Sequence, residues 1–129
     1  RHGTRPAHAL HEIEDLARRF DRIGLHGAFV DGPAGSRLLA AAVAYAYDGV
    51  LHTQYLAASD EGRDCGALDA VIAALMDDAA PATRWLSFGA STDDEGRRLN
   101  AGLAAQKEMF GARPTLLTTL EMDLQETGR

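Results

Sequence analysis

The dipeptide Asp48-Gly49 is the feature that most constrains the fold of this chain. It separates two apolar, β-prone runs, RLLAAAVAYAY and VLHTQYLAA. Aspartate and glycine tolerate positive φ at both central positions of a tight two-residue turn, so we expect the two runs to pair as an antiparallel hairpin. Alternation along the second run predicts that His52 and Gln54 point to the same side of the sheet.

Periodicity and turn-forming residues predict the other elements. Before the hairpin we expect a helix over 8–20 with one buried stripe, then a strand over 25–32 followed by a turn at PAGS. After the hairpin we expect a helix over 66–80 and a strand over 84–90. A third helix should start at a Thr92-x-x-Glu95 capping box and end at Gly111, and a last strand should cover 115–124.

This order of elements predicts an α/β fold. Three strands in an antiparallel meander are followed by helix, strand, helix and strand, and a strand–helix–strand succession implies a parallel crossover. The sheet should therefore be mixed, mostly antiparallel and flanked by helices. A chain of 129 residues fits one domain, which we place over 8–124 between an N-terminal arm (1–7) and a C-terminal tail (125–129).

Charge and cysteine content narrow the possible partners and compartment. With 13 basic and 19 acidic residues, the chain should not attract nucleic acid or anionic membranes. Cys65 is the only cysteine, which suits a reducing, cytoplasmic compartment, and the five histidines show no zinc-finger spacing, so we expect no metal. No run approaches the roughly 18 apolar residues of a membrane span. The chain starts at Arg1 without methionine, so we expect a piece of a longer protein.

Two long segments carry a resemblance to a known superfamily. HTQYLAASDEGRDCGALDAVIAAL and WLSFGASTDDEGRRLNAGLAAQKEMFGARP resemble, above all in FGAST, GRRLN and QKEMFGARP, the C-terminal acyltransferase domain of the GNAT superfamily in its FemAB-like branch. The resemblance implies a GNAT-like acyl-CoA N-acyltransferase fold lacking its first strand. It also implies transfer of an acyl or aminoacyl group, from acyl-CoA (acetyl-CoA for example) or aminoacyl-tRNA, to an amine of a small molecule or cell-envelope precursor.

The same resemblance implies a cofactor loop and an acid. In the family, the strands before and after the central helix splay to admit the pantetheine arm, and the loop entering that helix offers backbone N–H groups to the pyrophosphate. Arg63, Gly66 and Ala67 fall in this loop. Seven residues after Asn100, where the family often has a tyrosine acid, this chain has Lys107.

Acyl transfer to an amine also needs a base and hydrogen-bond donors for the oxyanion. His52 is the histidine expected on a cleft-lining strand, and imidazole is a natural base near neutral pH. Its other interpretation is a structural, hydrogen-bonded histidine. Gln54, Ser91 and Thr92 are the candidate substrate-binding groups. The two hydroxyls are equally explained as caps of the next helix, and Lys107 as a solvated helical lysine.

A second hypothesis is a catalytically inert half-domain. It would pair with a missing N-terminal domain or with a second copy as a homodimer, and would serve as a binding or dimerisation module. Exposed sheet edges or a dimer in solution would favour it.

The N-terminal RHGTRP provides a third hypothesis. It resembles the signature of histidine phosphatases, in which the histidine, here His2, becomes a phosphohistidine. The family pattern has one more residue before the proline and a distant second histidine followed by an acid, and short motifs of this kind arise readily by chance.

Overall fold

A computed structural model describes residues 8–122 of the chain. The chain divides into two compact units, with the boundary between Ala90 and Ser91. The first unit contains α1 (Leu10–Arg19), β1 (Ile23–Gly32), β2 (Gly35–Tyr47), β3 (Val50–Ala58), α2 (Asp60–Asp64), α3 (Ala67–Asp77) and β4 (Trp85–Ser87). The second unit contains β5 (Thr92–Asp93), β6 (Arg98–Leu99) and α4 (Ala101–Met109). The single domain predicted over 8–124 stays a prediction.

The first unit is built on a four-stranded mixed sheet. Its strand order is β1-β2-β3-β4, with antiparallel pairing of β1 to β2 and of β2 to β3, and parallel pairing of β4 to β3. The α/β class and the mixed sheet predicted from the sequence are therefore confirmed. The parallel pair arises because α2 and α3 carry the chain from the end of β3 to the start of β4.

The predicted hairpin is present. Tyr47 pairs with Val50, and Asp48 and Gly49 between them have φ of 46° and 77°. Both central residues have positive φ, as a two-residue turn matching the twist of its strands requires. The predicted turn at PAGS is also present, because Gly32 pairs with Gly35 across a loop of two residues.

The core lies between β2 and α3. Ala40, Ala42 and Ala44 alternate along β2 and are buried against α3, whose Val71 and Leu75 belong to the same cluster. Alanines let the helix backbone approach the sheet closely, while Leu75, 1% exposed, supplies the largest fully buried side chain. The predicted buried stripe of the first helix is only partly present, because Ile13 and Leu16 are half-buried and α1 contains no fully buried residue.

A β-bulge interrupts the pairing of β2 with β3 beside Gln54. Ala44 pairs with Thr53 and Val43 with Tyr55, which leaves Gln54 without a partner on β2. Because opposed residues share a face of the sheet, Thr53 lies on the core face with Ala44, and Tyr55 lies on the other face with Val43. The alternation that predicted a common side for His52 and Gln54 therefore does not continue through Gln54.

The second unit differs from the prediction at the start of its helix. The segment expected to open that helix is a hairpin in which Thr92 pairs with Leu99. Asp94 and Glu95 have φ of 52° and 54°, in the left-handed region, which a right-handed helix cannot include. The capping box predicted at Thr92 is therefore wrong, and α4 begins at Ala101.

The final predicted strand is also wrong over its described part. Residues 112–122 contain neither helix nor strand, and the large apolar side chains of this segment are 79% to 90% exposed. Alternating hydrophobicity defines a face, but a strand also needs a neighbour to pair with, and none is present among residues 8–122.

Some predictions concern residues outside the described range. These are the N-terminal arm over 1–7 with RHGTRP and His2, the last residues of the final strand, and the tail over 125–129. Within residues 8–122, no helix has both the length and the apolar character needed to cross a membrane.

Candidate functional site

His52 and Ser87 form a hydrogen-bonded pair between β3 and β4. The two residues are opposite each other in the parallel pairing, and His52 Nδ1 lies 3.1 Å from Ser87 Oγ. The Gly89 N–H donates to Ser87 Oγ at 3.3 Å, and the Thr53 hydroxyl donates to the Ser87 carbonyl oxygen at 3.2 Å. His52 and Ser87 are both half-buried, so the pair is held by the sheet and still reachable from solvent.

His52 and Ser87 are the last residues to pair between β3 and β4. The parallel pairing consists of Val50 with Trp85, Leu51 with Leu86 and His52 with Ser87, and it ends there. β3 continues to Ala58 and stays paired with β2. Among the described residues, no strand pairs with the other edge of β3 beyond His52.

Gly89 leaves room beside the imidazole ring. It has a φ of 69°, and a Cβ at this position would lie 3.2 Å from His52 Cε1. Both the backbone conformation and the close approach favour glycine here, because any side chain would be strained and would press on the ring.

Two tyrosines flank His52 on the same face of the sheet. Tyr45 is directly opposite His52 on β2, and its hydroxyl is buried with no hydrogen-bond partner among residues 8–122. Tyr55 accepts a hydrogen bond from the His8 N–H at 3.0 Å, and its hydroxyl lies 2.8 Å from His8 Nδ1. The sequence analysis assigned no role to either phenol group.

The loop predicted to bind a pyrophosphate is occupied by the short helix α2. Ser59 caps this helix by accepting a hydrogen bond from the Gly62 N–H at 3.0 Å. The guanidinium of Arg63 donates to the Ala58 carbonyl oxygen at 2.7 Å and pairs with Asp60. Arg63 therefore already has acceptors within the loop.

The start of α3 carries the other two predicted loop residues. Gly66 precedes the helix with a φ of 70°, and a Cβ on it would lie 3.4 Å from an oxygen of Asp69. Ala67 is buried in the core. A carboxylate thus lies beside the helix N-terminus, where an anionic ligand would be repelled by it.

The second unit contains the remaining predicted residues. Asn100 caps α4, because its side-chain oxygen accepts from the Leu103 N–H at 3.0 Å and its amide donates to Asp93 at 3.3 Å. The Ser91 carbonyl oxygen accepts from the Asn100 N–H at 2.9 Å. Both polar groups of the Asn100 side chain thus form hydrogen bonds within its own unit, one to the hairpin and one to α4, which supports a structural role.

Lys107 lies on α4 and is half-buried. Burial lowers its pKa, because desolvation disfavours the charged ammonium. Lys107 is therefore less solvated than a fully exposed helical lysine, and its role as an acid stays a prediction.

The structure thus groups the predicted residues by unit. His52, Gln54 and the three loop residues belong to the first unit, and Ser91, Thr92, Asn100 and Lys107 to the second. The most informative residue that the sequence interpretation missed is Ser87. The signal available was Ser-Phe-Gly at the end of a predicted strand, but only the pairing of β4 with β3 places its hydroxyl against His52.

A groove of about 340 Å³ between β1 and α3 is lined by His26, Ala28, Ala74 and Asp78 among others, and it includes neither His52 nor Ser87. A ligand at His52 would therefore bind outside this groove. Within residues 8–122, no group of three histidine, cysteine or carboxylate side chains is arranged to hold a metal ion.

Comparison with known proteins gave no match of significance, whether to a protein-family model, to a curated protein sequence or to a solved structure. The function must therefore be argued from the residues and their geometry.

Proposed function

We propose that this chain is an N-acyltransferase domain of the GNAT type that moves an acyl group from an acyl thioester to an amine. The observation that carries the proposal is the end of the β3–β4 pairing at His52 and Ser87, while β3 continues to Ala58. A parallel pair that separates beside an imidazole offers an extended acyl donor a strand edge to lie on and a base at its reactive end.

His52 is the base in this proposal. Ser87 fixes the imidazole through Nδ1, and Gly89 leaves space beside the ring. An amine must lose a proton as it attacks an acyl carbon, and a fixed imidazole contributes about 10²–10⁴-fold to such a proton transfer. Gln54, unpaired in the bulge on the same strand, remains the candidate for holding the substrate.

Acyl-CoA, with acetyl-CoA as the simplest case, is the donor that we favour over aminoacyl-tRNA. The formal net charge of −6 opposes an RNA donor. Arg63 is paired with Asp60, and Asp69 lies at the start of α3, so we expect the pantetheine arm, rather than the pyrophosphate, to provide most of the recognition. S-acetylpantetheine should then bind about as well as acetyl-CoA.

Thiol release from acetyl-CoA in the presence of primary amines tests the proposal. The assay needs a Cys65→Ser background, because Cys65 is itself exposed and would react with the thiol reagent. His52→Gln should reduce turnover about 100-fold or more, whereas His26→Gln, a half-buried strand histidine on the other face of the sheet, should have little effect. Titration calorimetry measures binding separately from chemistry. Acetyl-CoA and S-acetylpantetheine are each titrated into the parent chain and into Arg63→Ala.

The proposal would be overturned if neither donor gave a heat of binding and no amine-dependent thiol release were observed. Equal loss of turnover in the two histidine variants would remove His52 as the base.

A second candidate function, the inert module that dimerises, is favoured by a different observation. On the face of the sheet opposite α3, Leu25 is 77% exposed, Phe29 63% and Leu38 51%. Large apolar side chains grouped in this way are typical of an interface. Sedimentation of the chain and of Phe29→Ser tests it: a dimer that the substitution dissociates, without any turnover, would favour the module over the enzyme.

A further inference from the structure

We propose that Ser87 is a nucleophile that carries the acyl group as a covalent ester between the donor and the amine. The inference deepens the acyltransferase proposal and uses its base, His52. Nothing in the sequence interpretation assigned a role to Ser87.

Ser87 Oγ has two neighbours within hydrogen-bond distance, the Gly89 N–H and His52 Nδ1. The Gly89 N–H occupies one lone pair of the oxygen at 3.3 Å. The proposal assigns His52 the tautomer protonated on Nε2, in which Nδ1 accepts the Ser87 hydroxyl hydrogen across 3.1 Å. An oxygen that donates to an imidazole and accepts from a backbone amide is arranged as an activated nucleophile, because the base removes its proton and the amide stabilises the resulting negative charge.

The position of Ser87 in the sheet makes the hydroxyl reachable. Ser87 is the last residue of β4, and its partner His52 is the last residue of β3 to pair with β4. The carbonyl oxygen of Ser87 is held by the Thr53 hydroxyl at 3.2 Å, which fixes the backbone from which the side chain projects. Thr53 is itself buried, so this support comes from the core side of the sheet.

The chemistry balances in two steps. In the first, Ser87 Oγ forms a bond to the acyl carbon, its proton passes to His52 Nδ1, the carbon–sulfur bond breaks, and the leaving thiolate takes the proton from the imidazolium. In the second, the amine nitrogen attacks the serine ester and gives its proton to His52, the carbon–oxygen bond breaks, and Oγ recovers the proton. No other reactant is needed.

Acylation of the Cys65→Ser chain and its variants by 4-nitrophenyl acetate tests the inference independently of thioester recognition, because the exposed thiol of Cys65 would itself be acylated. We expect a burst of nitrophenolate equal to one per chain, and an acid-quenched sample should gain the mass of one acetyl group, located on Ser87 by peptide mapping. Ser87→Ala should lose the burst, and His52→Gln should slow it about 100-fold or more. Ser36→Ala, an exposed serine on β2, should keep it. Ser87→Cys should also be acylated, because a thiol replaces the hydroxyl in the same position.

The outcomes separate the two proposals. An acetyl group found elsewhere, or a burst that survives in Ser87→Ala, would overturn the inference. Amine-dependent turnover of acetyl-CoA by Ser87→Ala would overturn it too and leave the acyltransferase standing with direct transfer. Acylation of Ser87 without transfer to any amine would support Ser87 as the nucleophile but overturn its role in transfer, and the acyltransferase proposal would fail in favour of ester hydrolysis.

Discussion

His52 Nδ1 lies 3.1 Å from Ser87 Oγ across the last residue pair of the parallel β3–β4 ladder. The contact joins strands whose residues are 35 positions apart in the chain, so it exists only because α2 and α3 return the chain parallel to β3. Substitutions at two neighbours of His52, Gly89 and Tyr45, test the packing around the imidazole.

Gly89→Ala should impair activity more than it impairs folding. The added Cβ would lie 3.2 Å from His52 Cε1, and the φ of 69° costs any non-glycine residue about 1 kcal/mol or more. Gly35→Ala is the control, because Gly35 also has positive φ, 105°, but a Cβ there meets nothing within 4 Å. Acyl-transfer rates and urea melts of both variants check this. Equal losses of rate in the two variants would mean that crowding of His52 is unimportant.

Tyr45→Phe should be neutral or stabilising by about 1 kcal/mol, because a buried hydroxyl without a partner costs desolvation free energy. Tyr55→Phe should instead destabilise by about 0.5–1.5 kcal/mol, since the Tyr55 hydroxyl bonds to His8. The free energy of unfolding can be followed through Trp85, the only tryptophan, which lies in the first unit. A large loss of stability in Tyr45→Phe would show that its hydroxyl has a partner.

Leu75→Ala should cost about 2–5 kcal/mol of unfolding free energy, because it removes a fully buried side chain from the contact of α3 with β2. Its neighbour Met76 is 58% exposed, and Met76→Ala should change the unfolding free energy by only about 0.5 kcal/mol. Urea denaturation of the two variants gives the comparison. Similar costs for both would place the core elsewhere.

Gly62→Ala should destabilise by at least about 1–3 kcal/mol, because the new Cβ would overlap the Leu39 carbonyl oxygen and the backbone would have to move. Gly32→Ala serves as the control in the same unit, since its nearest atom would be 3.9 Å away. The control should fold as well as the parent chain. Normal thermal stability of Gly62→Ala would show that α2 is not packed against β2 in solution.

Stability should depend on acid pH through Arg37 and Glu61. The bidentate hydrogen bonds from Arg37 to the carboxylate lower the pKa of Glu61 below its ordinary value of 4.5. The unfolded chain therefore takes up this proton first as the pH falls. The stabilising contribution is fully present above pH 4.5 and is lost as the pH falls through the folded pKa.

Glu61→Gln should reduce the loss of stability between neutral and acid pH. The effect should be small because the Arg37–Glu61 pair is exposed to solvent. Thermal melts from neutral pH down to about pH 3, below the ordinary carboxyl range, check it. Glu14→Gln, an exposed carboxylate on α1, is the control and should keep the parent profile. An unchanged profile in Glu61→Gln would mean that the pair contributes nothing to stability.

The sequence correctly predicted the elements that depend on interactions between residues close together in the chain. Asp48 and Gly49 specify the hairpin because both accept positive φ. The stripe of Val71 and Leu75 specifies α3 and the face that it buries. From these elements, the alternation of strands and helices predicted the mixed α/β sheet.

The failures also have local physical reasons. The Thr92-x-x-Glu95 pattern satisfies the chemistry of a capping box, but Asp94, Glu95 and Gly96 all adopt positive φ and turn the chain into a hairpin. Asn100 then provides the cap three residues before Leu103. The alternation in residues 115–122 describes an amphipathic strand that finds no partner among residues 8–122.

What the sequence determined by itself is therefore the two turns of the first unit and the buried face of α3, because φ preferences and apolar spacing act between neighbours in the chain. Only the tertiary structure decided the candidate site. The bulge at Gln54 shifts the alternation of β3, and the parallel register places Ser87 against His52. Neither can be read from spacing, because pairing register depends on how distant segments pack together.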